Sequence, residues 1–160
     1  MHEYPSSEQM AEIAMSAARV VRLFGFDPKV AFVSHSTFGQ PLTNRTKHIK
    51  KAVEILKDKN VNFEFDGDMQ PDVALNKEYK SLYPFSKIVG NANILIMPGQ
   101  HSAAISYKMM KTLGDTKVIG PLLIGLGLPI EIAPLRSSTS EILNLASIAA
   151  YSADVIDYEK

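Results

Sequence analysis

An α/β layered fold with a mostly parallel central sheet is what this chain predicts, on three observations. Short continuous apolar runs, Val30–Val33 and Ile94–Met97, have the pattern of strands covered on both faces. Helical patterns accompany them, with apolar residues three and four apart as in Met10, Ile13, Ala14, Ala17, Val20 and Val21. Gly, Pro and hydroxyl-rich breaks separate the two kinds of segment, as strand–helix–strand units require.

The elements follow in order. Ser6 with Gln9 forms a capping box ahead of the first helix, and Gly25 ends it. Asp27-Pro28 introduces the strand Val30–Val33. The loop from Ser34 to Pro41 is dense in hydroxyls; Ser34, Ser36 and Thr37 either meet a ligand or cap the next helix, and Gly39 shapes the turn. That helix starts at Thr43 or Thr46 and runs to about Lys59. Ile49, Val53 and Leu56 face inward; Lys47, Lys50, Lys51 and Lys57 face water. Asn62–Phe65 is a short strand leading into a carboxylate-rich turn, Asp66–Asp72. Its spacing is not that of an EF-hand. A hydrogen-bonded turn fits better, in which Asp66, Gln70 and Asp72 either line a site or serve structure.

One or two helical turns follow within Val73–Tyr83. The strand Ile94–Met97 ends at Pro98-Gly99, and a helix from His101 or Ser102 runs to Leu113. Its amino end, with Gln100 and Ser102, offers unpaired N–H groups and a positive dipole end to an anion. The same anatomy serves equally as a plain connection. Lys117–Ile124 and Ile130–Ala133 read as two further strands. Ser138 with Glu141 makes a capping box before the last helix, whose apolar face is Ile142, Leu145, Ala146, Ile148 and Ala149. The tail Asp154–Lys160 is polar and expected to fray.

A chain of 160 residues suits one domain or part of a larger one, and its hydrophobic content of 46% is that of a globular protein. Seventeen basic and seventeen acidic side chains give no basic face for nucleic acid or membrane. Cysteine is absent, which excludes disulfides and thiolate chemistry. His2, His35, His48 and His101 lack metal-ligand spacing, so no metal is expected. The longest apolar tract, Val118–Ile130, is interrupted by Gly and Pro and falls short of the roughly 20 residues a bilayer needs. No leader is visible at the polar start. These absences point to a cytoplasmic location.

Four loops are expected at the carboxyl edge of the sheet: 34–41, 66–72, 98–102 and 134–139. Arg136, Ser137 and Ser138 are the strongest candidates for holding an anion there, and Glu141 is either a cap partner or a site carboxylate. Such a rim suits a small molecule bearing phosphate or carbonyl groups. No G-x-G-x-x-G, Walker A or G-x-S-x-G motif narrows the choice.

Several segments in register resemble the phosphate acetyl/butyryl transferase family. Ser34-His35-Ser36-Thr37-Phe38-Gly39 is similar to its S-x-S-T-x-G, and Asp66–Ala74 to its D-G-x-[LM]-Q-x-D-[AV]-A. Asn91–Pro98 with Ile105-Ser106-Tyr107-Lys108 resembles A-N-V-L-[IV]-F-P followed by I-[GA]-Y-K. Ile119–Leu126 resembles I-G-P-[IL]-L-x-G-L. A finer likeness is to the version of this domain fused behind the catalytic part of large bacterial NADP-dependent malic enzymes. Met69, Val73-Ala74-Leu75, Tyr83-Pro84-Phe85-Ser86 and Asn144–Ala150 carry it.

The resemblance implies a three-layer α/β/α sandwich of the isocitrate/isopropylmalate dehydrogenase-like kind. It also implies that residues 1–160 are the latter part of one phosphotransacetylase-like domain, a fragment of a longer chain. Acetyl-CoA or a related acyl-CoA is the implied ligand, and a homo-oligomer, at least a dimer, the implied assembly. NADP and a divalent metal belong to the malic-enzyme part, not to this fragment. The departures bear on activity. The family's Ser-Arg pair before the last helix falls here on Pro134 and Leu135, with Arg136 displaced by one residue. Its carboxylate near the helix start corresponds to Glu141 rather than Asp, and the Asn of its A-x-N-I-x-Y-K is Ala104. Acyl transfer from a phosphate needs an arginine on the phosphate and a polar group on the developing oxyanion; Pro134 and Leu135 supply neither. The expectation is therefore a regulatory module with no catalytic residue, the alternative being an active phosphate acetyltransferase that uses Arg136.

Overall fold

The computed structural model describes residues 3–156 apart from Thr116 and Gly127. Its elements are α1 (Ser7–Leu23), β1 (Lys29–Val33), α2 (Asn44–Asp58), β2 (Glu64–Met69), α3 (Pro71–Leu75), α4 (Lys77–Lys80), β3 (Ile94–Ile96), α5 (Gln100–Leu113) and α6 (Thr139–Ile156). They fall into two compact units, one ending at Lys108 and one starting at Met109.

In the first unit β1 is the central strand of a parallel sheet of order β2-β1-β3. Successive side chains of a strand point to opposite faces. Val30 and Phe32 therefore meet α1 and α2 through Met10, Ala14, Ile49 and Leu56, while Ala31 and Val33 meet Met69, Val73, Ala74 and Ile88. None of the four β1 side chains is more than 1% exposed, so both faces are covered. The layered α/β architecture with a parallel sheet is what the apolar runs and helical patterns predict, and helices on both faces make it the three-layer α/β/α arrangement that the family resemblance implies. Each large side chain so buried contributes about 1.5–3 kcal/mol.

The helix starts are written locally. Ser6 Oγ accepts from Gln9 N, and Gln9 Oε1 accepts from Ser6 N at 2.9 Å, the expected capping box. Thr43 and Thr46, the two candidate starts of α2, are both used, Thr43 as the cap and Thr46 as its reciprocal partner. Asn93 fastens β3 to the start of β1, its side chain accepting from Lys29 N and donating to the Asp27 carbonyl.

Three expectations need correction. The strand placed at Asn62–Phe65 is Glu64–Met69, so Asp66 and Asp68 lie in the sheet and not in a turn. The two residues are 7% and 3% exposed, and their carboxylates are satisfied by backbone and hydroxyl donors described below. The β1–β2 register advances regularly to Phe32↔Gly67, then jumps to Val33↔Met69. Asp68 is thus the extra residue of a bulge, which turns its side chain toward the loop after β1. The Gly67–Asp68 peptide is cis.

The second correction concerns Lys117–Ile124 and Ile130–Ala133, which form no strand. A strand needs a neighbour for its ladder bonds, and Pro121, Pro129 and Pro134 remove donors. Leu123 N donates instead to the Glu131 carboxylate at 3.0 Å. Third, the tail is helical as far as Ile156; residues 157–160 lie outside the described set. Of the predicted apolar face of α6 only Leu145 is buried, and Ile142 is half exposed. No described helix is long and apolar enough to cross a membrane.

Gly67 tests the tight β1–β2 contact. A Cβ there would lie 2.7 Å from Phe32 Cβ and 2.8 Å from the Phe32 carbonyl oxygen, at a φ of +155°. Gly67→Ala is expected to cost roughly 3 kcal/mol of folding stability, read from the urea midpoint. A loss of less than about 1 kcal/mol would mean the two strands are not this close.

Candidate functional site

Because β1, β2 and β3 are parallel, the loops leaving their carboxyl ends share one edge of the sheet. The two neighbours of β1 lie on either side of it, and open α/β sheets form ligand crevices where the strand order reverses in this way.

The loop after β1 is the most organised part of that edge. Thr37 and Gln40 pair through two backbone bonds, Thr37 N to the Gln40 carbonyl at 3.4 Å and Gln40 N to the Thr37 carbonyl at 3.2 Å. Between them Phe38 and Gly39 have φ of +50° and +80°. Two left-handed residues in succession make a turn of the I′ kind, which suits glycine but costs a phenylalanine on the order of 1 kcal/mol. Asp68 holds the turn. One carboxylate oxygen accepts from Gly39 N at 2.9 Å, the other accepts from the Ser36 hydroxyl, and the Asp68 carbonyl accepts from Phe38 N at 2.6 Å. Gln70 adds two bonds, its N–H donating to Thr37 Oγ1 at 3.2 Å and its side-chain amide donating to the His35 carbonyl at 3.0 Å.

Ser34, Ser36, Thr37, Gly39 and Gln70 are therefore brought together, as the sequence reading placed them. Their availability differs. Ser36 is fully buried and Thr37 is 8% exposed, and both hydroxyls are engaged inside the loop. Ser34 is half buried, its hydroxyl 3.4 Å from His35 Nδ1, and His35 and Gln70 are exposed. Asp66 is not at the rim. It sits within β2, one oxygen accepting from Gly67 N and the other from Lys87 N at 2.8 Å, which pins the segment after Pro84 to the sheet. Asp68 is the residue that sequence reasoning missed. A bulge cannot be read from periodicity; the only hint was an acid two residues beyond Asp66, opposite a loop rich in donors.

The amino end of α5 is also occupied. Gln100 N donates to the Glu3 carbonyl at 3.1 Å, and the Glu3 carboxylate lies 2.9 Å from His101 Nε2. Tyr4 continues this strap, with the Arg45 guanidinium 5.1 Å above its ring. A Cβ on Gly99 would stand 2.8 Å from the Glu3 carbonyl, so only glycine lets the strap lie this close. Ser102 donates to the Gly99 carbonyl. The chain's own Glu3 stands where an external anion was expected.

The fourth segment, 134–139, lies in the second unit and is described by itself. Ser138 and Glu141 form the expected capping box: Glu141 N donates to Ser138 Oγ, and one Glu141 oxygen accepts from Ser138 N at 2.8 Å and from its hydroxyl at 3.0 Å. The other oxygen accepts from Lys111 Nζ at 2.9 Å. That lysine bond first, then the Ser138 backbone and hydroxyl donors, lower the Glu141 carboxyl from 4.5 to about 2. Arg136 is exposed and makes no hydrogen bond or ion pair among the described residues. Pro134 and Ser137 border a cleft of about 10 Å³, walled also by Val118, Gly120 and Leu145, which has room for about one water. Among the described residues no group of three His, Asp or Glu could hold a metal ion.

Comparison with known proteins extends this picture. The family model for phosphate acetyl/butaryl transferase matches residues 1–150. The NADP-dependent malic enzyme of Rhizobium meliloti is 46% identical over 153 residues, covering 96% of this chain and 20% of that protein. The phosphate acetyltransferase of Bacillus subtilis is 33% identical over 150 residues, covering 93% of this chain and 46% of that protein. A solved phosphotransacetylase from Streptococcus pyogenes superposes with a TM-score of 0.91 at 33% identity, over 97% of this chain and 47% of that one. The chain thus spans about a fifth of the malic enzymes it matches and under half of the phosphate acetyltransferases. A parallel sheet with these loops, matched over nearly its whole length, places the chain in the phosphate acetyl/butaryl transferase family, as the part that such malic enzymes share with phosphotransacetylases.

Proposed function

We propose that this chain is a regulatory, acetyl-CoA-binding and subunit-assembling part of an NADP-dependent malic enzyme, with no acyl transfer of its own. The observation that carries the reading is Pro134-Leu135 in the place where the family resemblance expects Ser-Arg. Neither side chain can neutralise a phosphate or donate to an oxyanion. Glu141 supports the same reading. Titrating at about 2, it is fully ionised near neutral pH, far from the poise that a general acid or base needs. The similarity to malic enzymes supplies the context, and the ordered loop after β1 supplies a rim for the phosphates of a coenzyme A ester. The second unit carries many exposed apolar side chains, among them Leu113 (79%), Leu128 (68%), Leu135 (103%) and Leu143 (65%). Apolar surface of this kind supports self-association.

Calorimetry with acetyl-CoA tests the reading. Binding should release or absorb heat and raise the melting temperature, since a ligand of the folded state stabilises it. No heat and no shift at millimolar ligand would remove the proposal. The second reading, a working phosphate acetyltransferase, is favoured by one observation, the exposed and unengaged Arg136. An arsenolysis assay separates the two: no turnover above background is expected, whereas turnover lost on Arg136→Ala would establish the second reading.

The Glu141 carboxyl gives an independent check. Its folded pKa lies below the ordinary 4.5, so its bonds to Lys111 and Ser138 are fully present above about 4.5 and are lost as pH falls through about 2. A carboxyl NMR titration should show a midpoint near 2, moving toward 4.5 in Lys111→Ala. A midpoint near 4.5 in the unaltered chain would return Glu141 to the ordinary acids and weaken the argument against acid–base work.

A further inference from the structure

Asp68 stands at the centre of the rim without facing out of it. It is 3% exposed, and the three groups it holds, the Ser36 hydroxyl, Gly39 N and Phe38 N, all belong to the loop after β1. None belongs to the core on either side of the sheet. Here the ladder is interrupted at this residue, and the bulge turns its carboxylate to the loop. What the carboxylate holds is a conformation that the loop would not adopt by itself, with Phe38 and Gly39 both left-handed. Backbone strain of this kind persists only where surrounding groups over-determine it.

We propose that Asp68 is a positioning residue. It fixes the turn so that the exposed His35 and Gln70 side chains and the half-buried Ser34 hydroxyl, which accepts from Ser36 N at 3.3 Å, meet the phosphate or acyl oxygens of the ligand in one arrangement. The identity of that ligand rests on the acetyl-CoA reading above; the hold on the turn does not. Asp68 donates nothing to the ligand and acts only through Ser36, Phe38 and Gly39.

The test uses the full chain with Asp68→Asn, which keeps the size but removes the charge, leaving a neutral amide oxygen for Gly39 N and only a reversed bond, from the amide NH2 to the Ser36 hydroxyl oxygen, in place of the Ser36 donation. Amide hydrogen exchange at Phe38, Gly39 and Gln40 should quicken by about tenfold, with the amides of α1 and β1 unchanged. Acetyl-CoA affinity should fall by about tenfold. Adding Phe38→Asn to Asp68→Asn should restore much of that affinity, because asparagine tolerates the left-handed region. Such a rescue would not follow if Asp68 merely stabilised the fold. Unchanged exchange at the three turn amides overturns the inference, as does quickening spread evenly over the unit. Should Asp68→Asn fail to fold, Ser36→Ala removes one bond alone and is read by the same exchange measurement. If the unaltered chain binds no acetyl-CoA, the ligand reading fails on its own, and the exchange comparison, which needs no ligand, still decides whether Asp68 holds the turn.

Discussion

The burial of β1 on both faces governs the first unit. Val30 and Phe32 are sealed under α1 and α2, and Ala31 and Val33 under the segment from Met69 to Ala92. A strand enclosed in this way has no water to satisfy a polar group, so each one nearby must find a partner within the protein. Asp66 finds Gly67 N and Lys87 N, and Asp68 finds the loop. Both solutions also do structural work: one clamps the chain after Pro84 across the sheet, the other orders the rim. The requirement to satisfy Asp68 thus decides where the loop after β1 goes, and that of Asp66 where the chain after Pro84 crosses the sheet.

Much of this was legible in the residues. The continuous apolar runs at Val30–Val33 and Ile94–Met97 identify parallel strands, and the capping pairs at Ser6/Gln9 and Ser138/Glu141 fix two helix starts, because these signals act over a few residues. What periodicity could not show is the bulge. Asp66–Asp72 looks like a turn since Asp and Gly are the residues of turns; only pairing with β1 makes it a strand, and pairing is not local. The unformed strands at 117–124 and 130–133 fail for the converse reason. Their composition is strand-like, but composition does not supply a neighbour.

The candidate site divides along the same line. Which residues would gather after β1 followed from the topology, since parallel strands must deliver their loops to one edge. Which of them would remain available did not. Ser36 and Thr37 are small hydroxyls next to the sheet, and such groups are as readily consumed by local bonds as offered to a ligand. Glu3 is a similar case. Nothing in the amino-terminal sequence marks it as the partner of His101 and Gln100, yet its carboxylate and carbonyl fill the helix end that theory assigns to an anion.

A site of this composition can bind without catalysing. Catalysis needs contacts that grow stronger as charge develops, and those come from groups aimed at the reacting atoms. Pro134 and Leu135 offer none, and Glu141 has both oxygens turned to Lys111 and Ser138. In the proposed regulatory reading, the rim after β1, taken by itself, offers oriented hydroxyls, amides and backbone groups that favour ground and transition states alike. That is enough for regulation, which asks only that a ligand prefer one state of a protein over another. In the regulatory reading the rigidity of the turn held by Asp68 has a direct use. A rim already ordered loses little conformational freedom on binding, so more of the ligand's free energy remains to bias the rest of the assembly.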